Sequence, residues 1–166
     1  MQYSAKVNKI NLPEAGSEVN SGTSVIASGY GVVQQGGSQS SNLRKLNTDV
    51  ITLDSCNHIY GGRILETNFC TQRKKDYTLC GVKSKNRFLN LSSNKSLNKN
   101  IKYFQGDSGG PGATDNKKTL IGVASGAGRP CGDGNPDIFT KVSSYIPYIE
   151  SEMNGGANDN PAKNYS

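Results

Sequence analysis

The string Gly106-Asp107-Ser108-Gly109-Gly110-Pro111 is the part of this sequence whose residue types and order speak most directly of chemistry. A serine hydroxyl can attack an acyl carbon, and the small residues around Ser108 let a substrate carbonyl come close to the backbone. The amides of Gly106 and Ser108 would point at the oxyanion that develops, an interaction of about 2.7 to 4 kcal/mol per donor in acyl-transfer sites. Ser108 is the candidate nucleophile, and Gly106 and Ser108 form the candidate oxyanion hole. Such a hydroxyl needs a base within hydrogen-bond reach, and the base needs a third group to orient it. The sequence has one histidine, His58.

The elements that must position Ser108 read as β-structure. The 166 residues include 20 glycines, and the apolar residues fall in short runs rather than helical periods, which favours one all-β domain. Alternation between Gly-rich turns predicts antiparallel strands around Val7–Leu12, Val25–Ala27, Gly31–Val33, Val50–Leu53, Thr119–Ala124 and Asp137–Val142. Residues 56 to 80 read as a cysteine-punctuated loop region. A terminal amphipathic helix over Ser143–Met153 follows from a serine cap, an early proline and apolar residues at Tyr145, Ile146, Ile149 and Met153. The polar, Gly- and Asn-rich 154–166 reads as a disordered tail.

The formal charge of +6 is local. Lys83, Lys85, Arg87, Lys95, Lys99 and Lys102 fall in one stretch without an acidic residue, and the rest of the chain carries thirteen basic and thirteen acidic residues. With no reading motif beside the charge, no nucleic-acid partner is expected. No stretch approaches the roughly 20 apolar residues of a membrane span, so no membrane partner is expected either. Cys56, Cys70, Cys80 and Cys131 are even in number and do not form C-x-x-C knuckles with histidines, which argues for two disulfides rather than a zinc site. No metal or other cofactor is called for. Disulfides imply a secretory destination, yet Met1–Lys6 holds no apolar run that could act as a signal peptide; the start of the secreted protein is expected to lie upstream.

Around the serine string the chain resembles the trypsin/chymotrypsin-like serine endopeptidase family, from Val7 to about Met153. Ile10-Asn11-Leu12-Pro13 resembles the strand entering that family's second barrel, and Ser28-Gly29-Tyr30-Gly31 its Ser-Gly-Trp-Gly turn. Ser125-Gly126-Ala127-Gly128 resembles the substrate-binding strand, and Pro136-Asp137-Ile138-Phe139-Thr140-Lys141-Val142 with the terminal helix completes the order. The resemblance implies an all-β fold: the second six-stranded antiparallel barrel of the two-barrel chymotrypsin-like architecture, over 1–153, with a C-terminal α-helix. It implies protein or peptide substrates and protease inhibitors as partners, and proteolysis through an acyl-enzyme on Ser108. Asp107 would pair with a newly cut amino terminus on activation. Ser125 and Ala127 would offer backbone groups to an extended substrate. The pairs Cys56–Cys70 and Cys80–Cys131 are implied as well.

Thr78 and Leu79, before Cys80, would line the primary specificity pocket without the aspartate that marks a trypsin. Asp137 would stand on the pocket wall, with a surface aspartate in a turn as the competing reading. Small Ala127 would leave the pocket open, and a chymotrypsin- or collagenase-like preference is expected. In this family the base lies in an Ala-His-Cys context ahead of the second barrel, whereas His58 follows Cys56-Asn57 and matches a surface loop. The chain is therefore expected to begin near the linker between the barrels, to lack the first barrel with its histidine and aspartate, and to hydrolyse peptides poorly by itself.

The family places a cysteine one residue before Gly-Asp-Ser-Gly-Gly-Pro, but Phe104 and Gln105 stand there and Cys80 is the nearest preceding cysteine. The excess, 81–105, is rich in Asn, Lys, Ser, Leu and Ile; Val82-Lys83 at its start can be encoded as GTAAAG, and the coding of Tyr103-Phe104-Gln105 at its end can finish in TTTCAG. Residues 82–105 are accordingly read as a retained intron, the spliced order being Cys80-Gly81-Gly106-Asp107-Ser108. The competing reading is a long surface loop, which chain entropy tolerates, with glycan sequons at Asn90 and Asn94. Two functional alternatives stand beside the protease: a non-catalytic protease-fold binding protein, and a polyanion-binding protein acting through the basic insertion.

Overall fold

The computed structural model describes residues 8–32, 38–72, 107–127 and 135–155. In order, β1 is Ser24–Gly29, β2 Arg44–Ile51, α1 Leu53–Tyr60, β3 Asn68–Gln72, β4 Pro111–Thr114, β5 Leu120–Ala127, β6 Asp137–Lys141 and α2 Ile146–Met153; a 3-10 turn, Val142–Tyr145, leads into α2. The six strands close into one antiparallel barrel in the order β1-β2-β3-β6-β5-β4. Closure gives each of the six described strands a neighbour on both sides.

Alternation decides what fills the barrel. Val25 and Ala27 of β1, Val50 of β2, Phe69 of β3, Ile121 of β5 and Phe139 of β6 form the core. Phe69 and Phe139 stack with ring centroids 5.3 Å apart. Gly122 makes room for them, since a β-carbon there would come within 2.6 Å of Phe69 Cζ.

The predicted strands in β1, β5 and β6 are present; of Val50–Leu53 only Val50 and Ile51 belong to a strand, the end of the longer β2, because Thr52 caps α1 and Leu53 begins it. Val7–Leu12 differs: within its described part only Asn11 pairs, as a single bridge to Thr119. The chain that follows it is tied to the 3-10 turn, Gly16 N–H donating to Ser143 O at 2.9 Å and Ser143 Oγ to Ser17 O at 2.6 Å.

The stretch read as a loop contains α1 and β3. Thr52 Oγ1 accepts the Ser55 amide, Asp54 stands in the first turn, and Gly61 ends the helix at φ 66°. The Cys56–Cys70 disulfide joins α1 to β3, as the family resemblance implied; Cys80 and Cys131 lie outside the described residues, as do 156–166 and the stretch 81–105. Both bridged cysteines are fully buried.

Closing a loop of this size restricts the unfolded chain by roughly 3 kcal/mol. Replacing Cys56 and Cys70 together by alanine should lower unfolding stability by about that amount in denaturant titrations, with the strand signal in circular dichroism retained under native conditions.

Candidate functional site

Ser108 lies in the turn that opens β4, and both it and Gly109 are exposed. The turn is closed by Gly110 N–H donating to Asp107 O at 2.9 Å, and Gly109 takes φ 82°, which any other residue would adopt only at a cost. Gly109 N–H donates to Ala124 O at 2.8 Å and Ala124 N–H to Gly110 O at 2.9 Å, fastening the turn to β5. None of the described residues hydrogen-bonds the Ser108 hydroxyl.

Asp107 points the other way, into the corner after β1. Its Oδ1 accepts the Gly31 N–H at 2.7 Å. A β-carbon on Gly29 or Gly31 would run into this carboxylate, and one on Gly110 would lie 2.8 Å from Asp107 O. The glycines of Ser28-Gly29-Tyr30-Gly31 are thus a matched recess for one side chain.

The remaining residues gather beside this turn. Ser125 is exposed in β5, whose pairing with β4 ends at Pro111↔Val123. Beyond that register the backbone of Ser125–Ala127 pairs only with β6 among the described residues, through Gly126↔Ile138 and Ala127↔Asp137. Asp137 is buried, 3% exposed, in strand β6 rather than standing on the surface in a turn. Neighbouring Pro136 is fully buried, and its carbonyl accepts the Tyr60 hydroxyl at 2.5 Å. Sequence reasoning missed Tyr60: it lies 76 residues from Pro136 and no local pattern marks it. Gly106, Thr78 and Leu79 lie outside the described residues.

His58 is exposed in the last turn of α1. The disulfide ties α1 to β3, and in the order β1-β2-β3-β6-β5-β4 strand β3 is three strands from β4 in either direction. The histidine therefore flanks the wall opposite Ser108. Among the described residues no group of three or more His, Cys, Asp or Glu could hold a metal ion, and no helix is long and apolar enough to cross a membrane.

This geometry can be set beside known proteins. The family model described as Trypsin matches residues 1–81 and 85–149. The chain belongs to the trypsin family. The break between the matched segments of this trypsin-family chain falls at 82–84, the start of the stretch read as an insertion. It is 28% identical over 158 residues to transmembrane protease serine 11G of Rattus norvegicus, a match covering 92% of this chain and 32% of the relative. With chymotrypsin-2 of Vespa crabro it shares 24% identity over 153 residues, covering 92% of this chain and 57% of the relative. The structure of neuropsin, a serine protease expressed in the limbic system of mouse brain, superimposes with a TM-score of 0.70 at 25% identity, covering 92% of this chain and 56% of that one. The trypsin-family chain thus spans between about a third and somewhat over half of these relatives.

The recess predicts a coupled pair of positions. Gly31→Ala should cost about 1 to 3 kcal/mol by evicting the Asp107 carboxylate, but under about 0.5 kcal/mol when Asp107→Ala is already present. Denaturant unfolding of the four proteins of the cycle reads this directly, and additive costs would mean that the recess is not specific for Asp107.

Proposed function

We propose that this chain is the second barrel of a secreted serine endopeptidase in which Ser108 is the nucleophile. Membership of the trypsin family supports the reading, and one observation carries it: the Asp107 carboxylate is seated in its glycine recess while Ser108 stands exposed on the other side of the same tight turn. In the reaction Ser108 Oγ attacks the peptide carbonyl and its proton passes to a base. The oxyanion is held by the amides of Gly106 and Ser108, and the amine leaves with that proton. Water then cleaves the acyl-enzyme. Asp107 serves activation, by pairing with a freshly cut amino terminus where its carboxylate now meets the Gly31 amide.

An extended protein or peptide substrate would lie along Ser125–Ala127, where the β5 backbone has passed the end of β4. Thr78, Leu79 and Asp137 would shape the primary pocket. The buried position of Asp137 favours a charge acting from the pocket wall over a solvated surface aspartate. Inhibitors of this enzyme class would occupy the same groove.

The base and its orienting acid are proposed to come from a first barrel outside these 166 residues, because His58 is placed on the wrong wall. By itself the chain would then not turn over substrate. The stretch 82–105 is proposed to be absent from the active product, which would read Cys80-Gly81-Gly106-Asp107-Ser108 and leave the oxyanion donors undisturbed.

An activity-based fluorophosphonate separates these statements. Residues 1–166 should remain unlabelled, whereas a product that carries an upstream Ala-His-Cys segment and lacks 82–105 should be labelled stoichiometrically, and Ser108→Ala in it should abolish the label. Labelling of the 166-residue chain at Ser108 would show that it holds its own base. An unlabelled longer product would favour the non-catalytic binding reading.

A further inference from the structure

At the end of the barrel away from Ser108, a cavity of about 340 Å³ opens between the end of β2, the start of β3 and the end of β6. It is separate from the proposed protease site, which occupies the start of β4 and β6 and the end of β5. Its size falls in the lower part of the range for small-molecule sites, about 300 to 1,000 Å³.

The lining has three chemical parts. Ile51, Leu53 and the ring of core residue Phe69 give it an apolar wall. Lys141, whose side chain is only 10% exposed, brings an ammonium; its Nζ is 2.8 Å from Oε2 of Glu18, which is 71% exposed. An ammonium has three N–H donors, and Glu18 is its one acceptor among the described residues. No other described residue takes the remaining donors of this largely buried side chain, which are thus left for a group in the cavity. Glu66, exposed at the cavity edge, brings a carboxylate that has no cationic partner among the described residues.

We propose that this cavity is a binding site for a free α-amino acid with an apolar side chain. The ligand carboxylate takes the remaining donors of Lys141, its ammonium meets Glu66, and its side chain lies on Ile51, Leu53 and Phe69. A simple anion would leave Glu66 unmatched and face two carboxylates. A simple amine would leave the Lys141 donors unspent. A zwitterion with an apolar body satisfies all three parts. The proposal does not depend on Ser108 acting as a nucleophile.

L-leucine is the probe, followed by amide chemical shifts of the full chain at low salt. Saturable shifts should centre on Lys141 and Phe69, with a Kd on the order of 1 mM for so small a ligand. Leucinamide, which lacks the carboxylate, and 4-methylpentanoate, which lacks the amine, should each bind at least about fivefold more weakly. Glu66→Gln should weaken leucine to a similar degree while leaving the rest of the spectrum in place. Because Glu66 is exposed this variant keeps its fold, and it decides the matter even if Lys141→Met does not fold. The absence of a saturable shift, equal binding of the three compounds, or unchanged affinity in Glu66→Gln would each overturn the proposal.

Discussion

The hydrogen bond from the Gly31 amide to the Asp107 carboxylate is the constraint on which the arrangement around Ser108 depends. A charge-assisted bond of this kind is stronger than one between neutral groups, and here it crosses from the corner after β1 to the turn before β4. It fixes the direction in which that turn faces. With Asp107 turned inward and Gly109 in the left-handed region, Ser108 is left facing solvent. The same contact explains why residues 29 and 31 are both glycine, because the carboxylate fills the volume that side chains would need. Two glycines far from Asp107 in sequence are thereby explained by one carboxylate.

Barrel closure decides what can cooperate with that turn. β4, β5 and β6 are consecutive around the barrel, so the turn of Ser108, the backbone of Ser125–Ala127 and Asp137 come together at one end. Strand β3 is as far from β4 as a six-stranded ring permits, and the disulfide commits α1 with His58 to that side. No rotamer of His58 changes which strand its helix is bonded to. Topology therefore supports the proposed division of labour, a nucleophile in this barrel and a base from outside it, beyond the mere scarcity of histidine.

Much of this was legible in the sequence, for physical reasons that differ by element. β1, β5 and β6 are built on short runs of branched or aromatic residues, Val25-Ile26, Leu120-Ile121 and Ile138-Phe139-Thr140, and such runs bounded by turn residues specify a strand by themselves. β4 is Pro-Gly-Ala-Thr, close to the least strand-like composition available, and it is a strand because closure places it between β1 and β5. β3 has one aromatic side chain among five residues, and the cysteine beside it reads as loop punctuation until its partner is known. The eight residues of α1 are too few to display a period, although its Thr52 and Gly61 caps are ordinary signals. At the site, Asp107 and Ser108 belong to one contiguous string and were found. Tyr60 could not be, because its role is a contact between residues 76 positions apart.

That contact bears on how the proposed pocket wall is held. Burying a carboxylate is costly unless surrounding groups compensate, and Asp137 is buried in the first position of β6. Its backbone is fixed by Thr71 of β3 on one side and Ala127 of β5 on the other. The residue before it is held by the Tyr60 hydroxyl from α1. Cys56 in turn anchors α1 to β3, the strand that pairs with Asp137. Helix, disulfide and strand thus form a closed circuit around the start of β6, so a change within α1 can displace the carboxylate without touching anything bound beside it. Among the described residues the wall opposite Ser108 supplies no base, but it sets the position of a charge buried at the proposed substrate end.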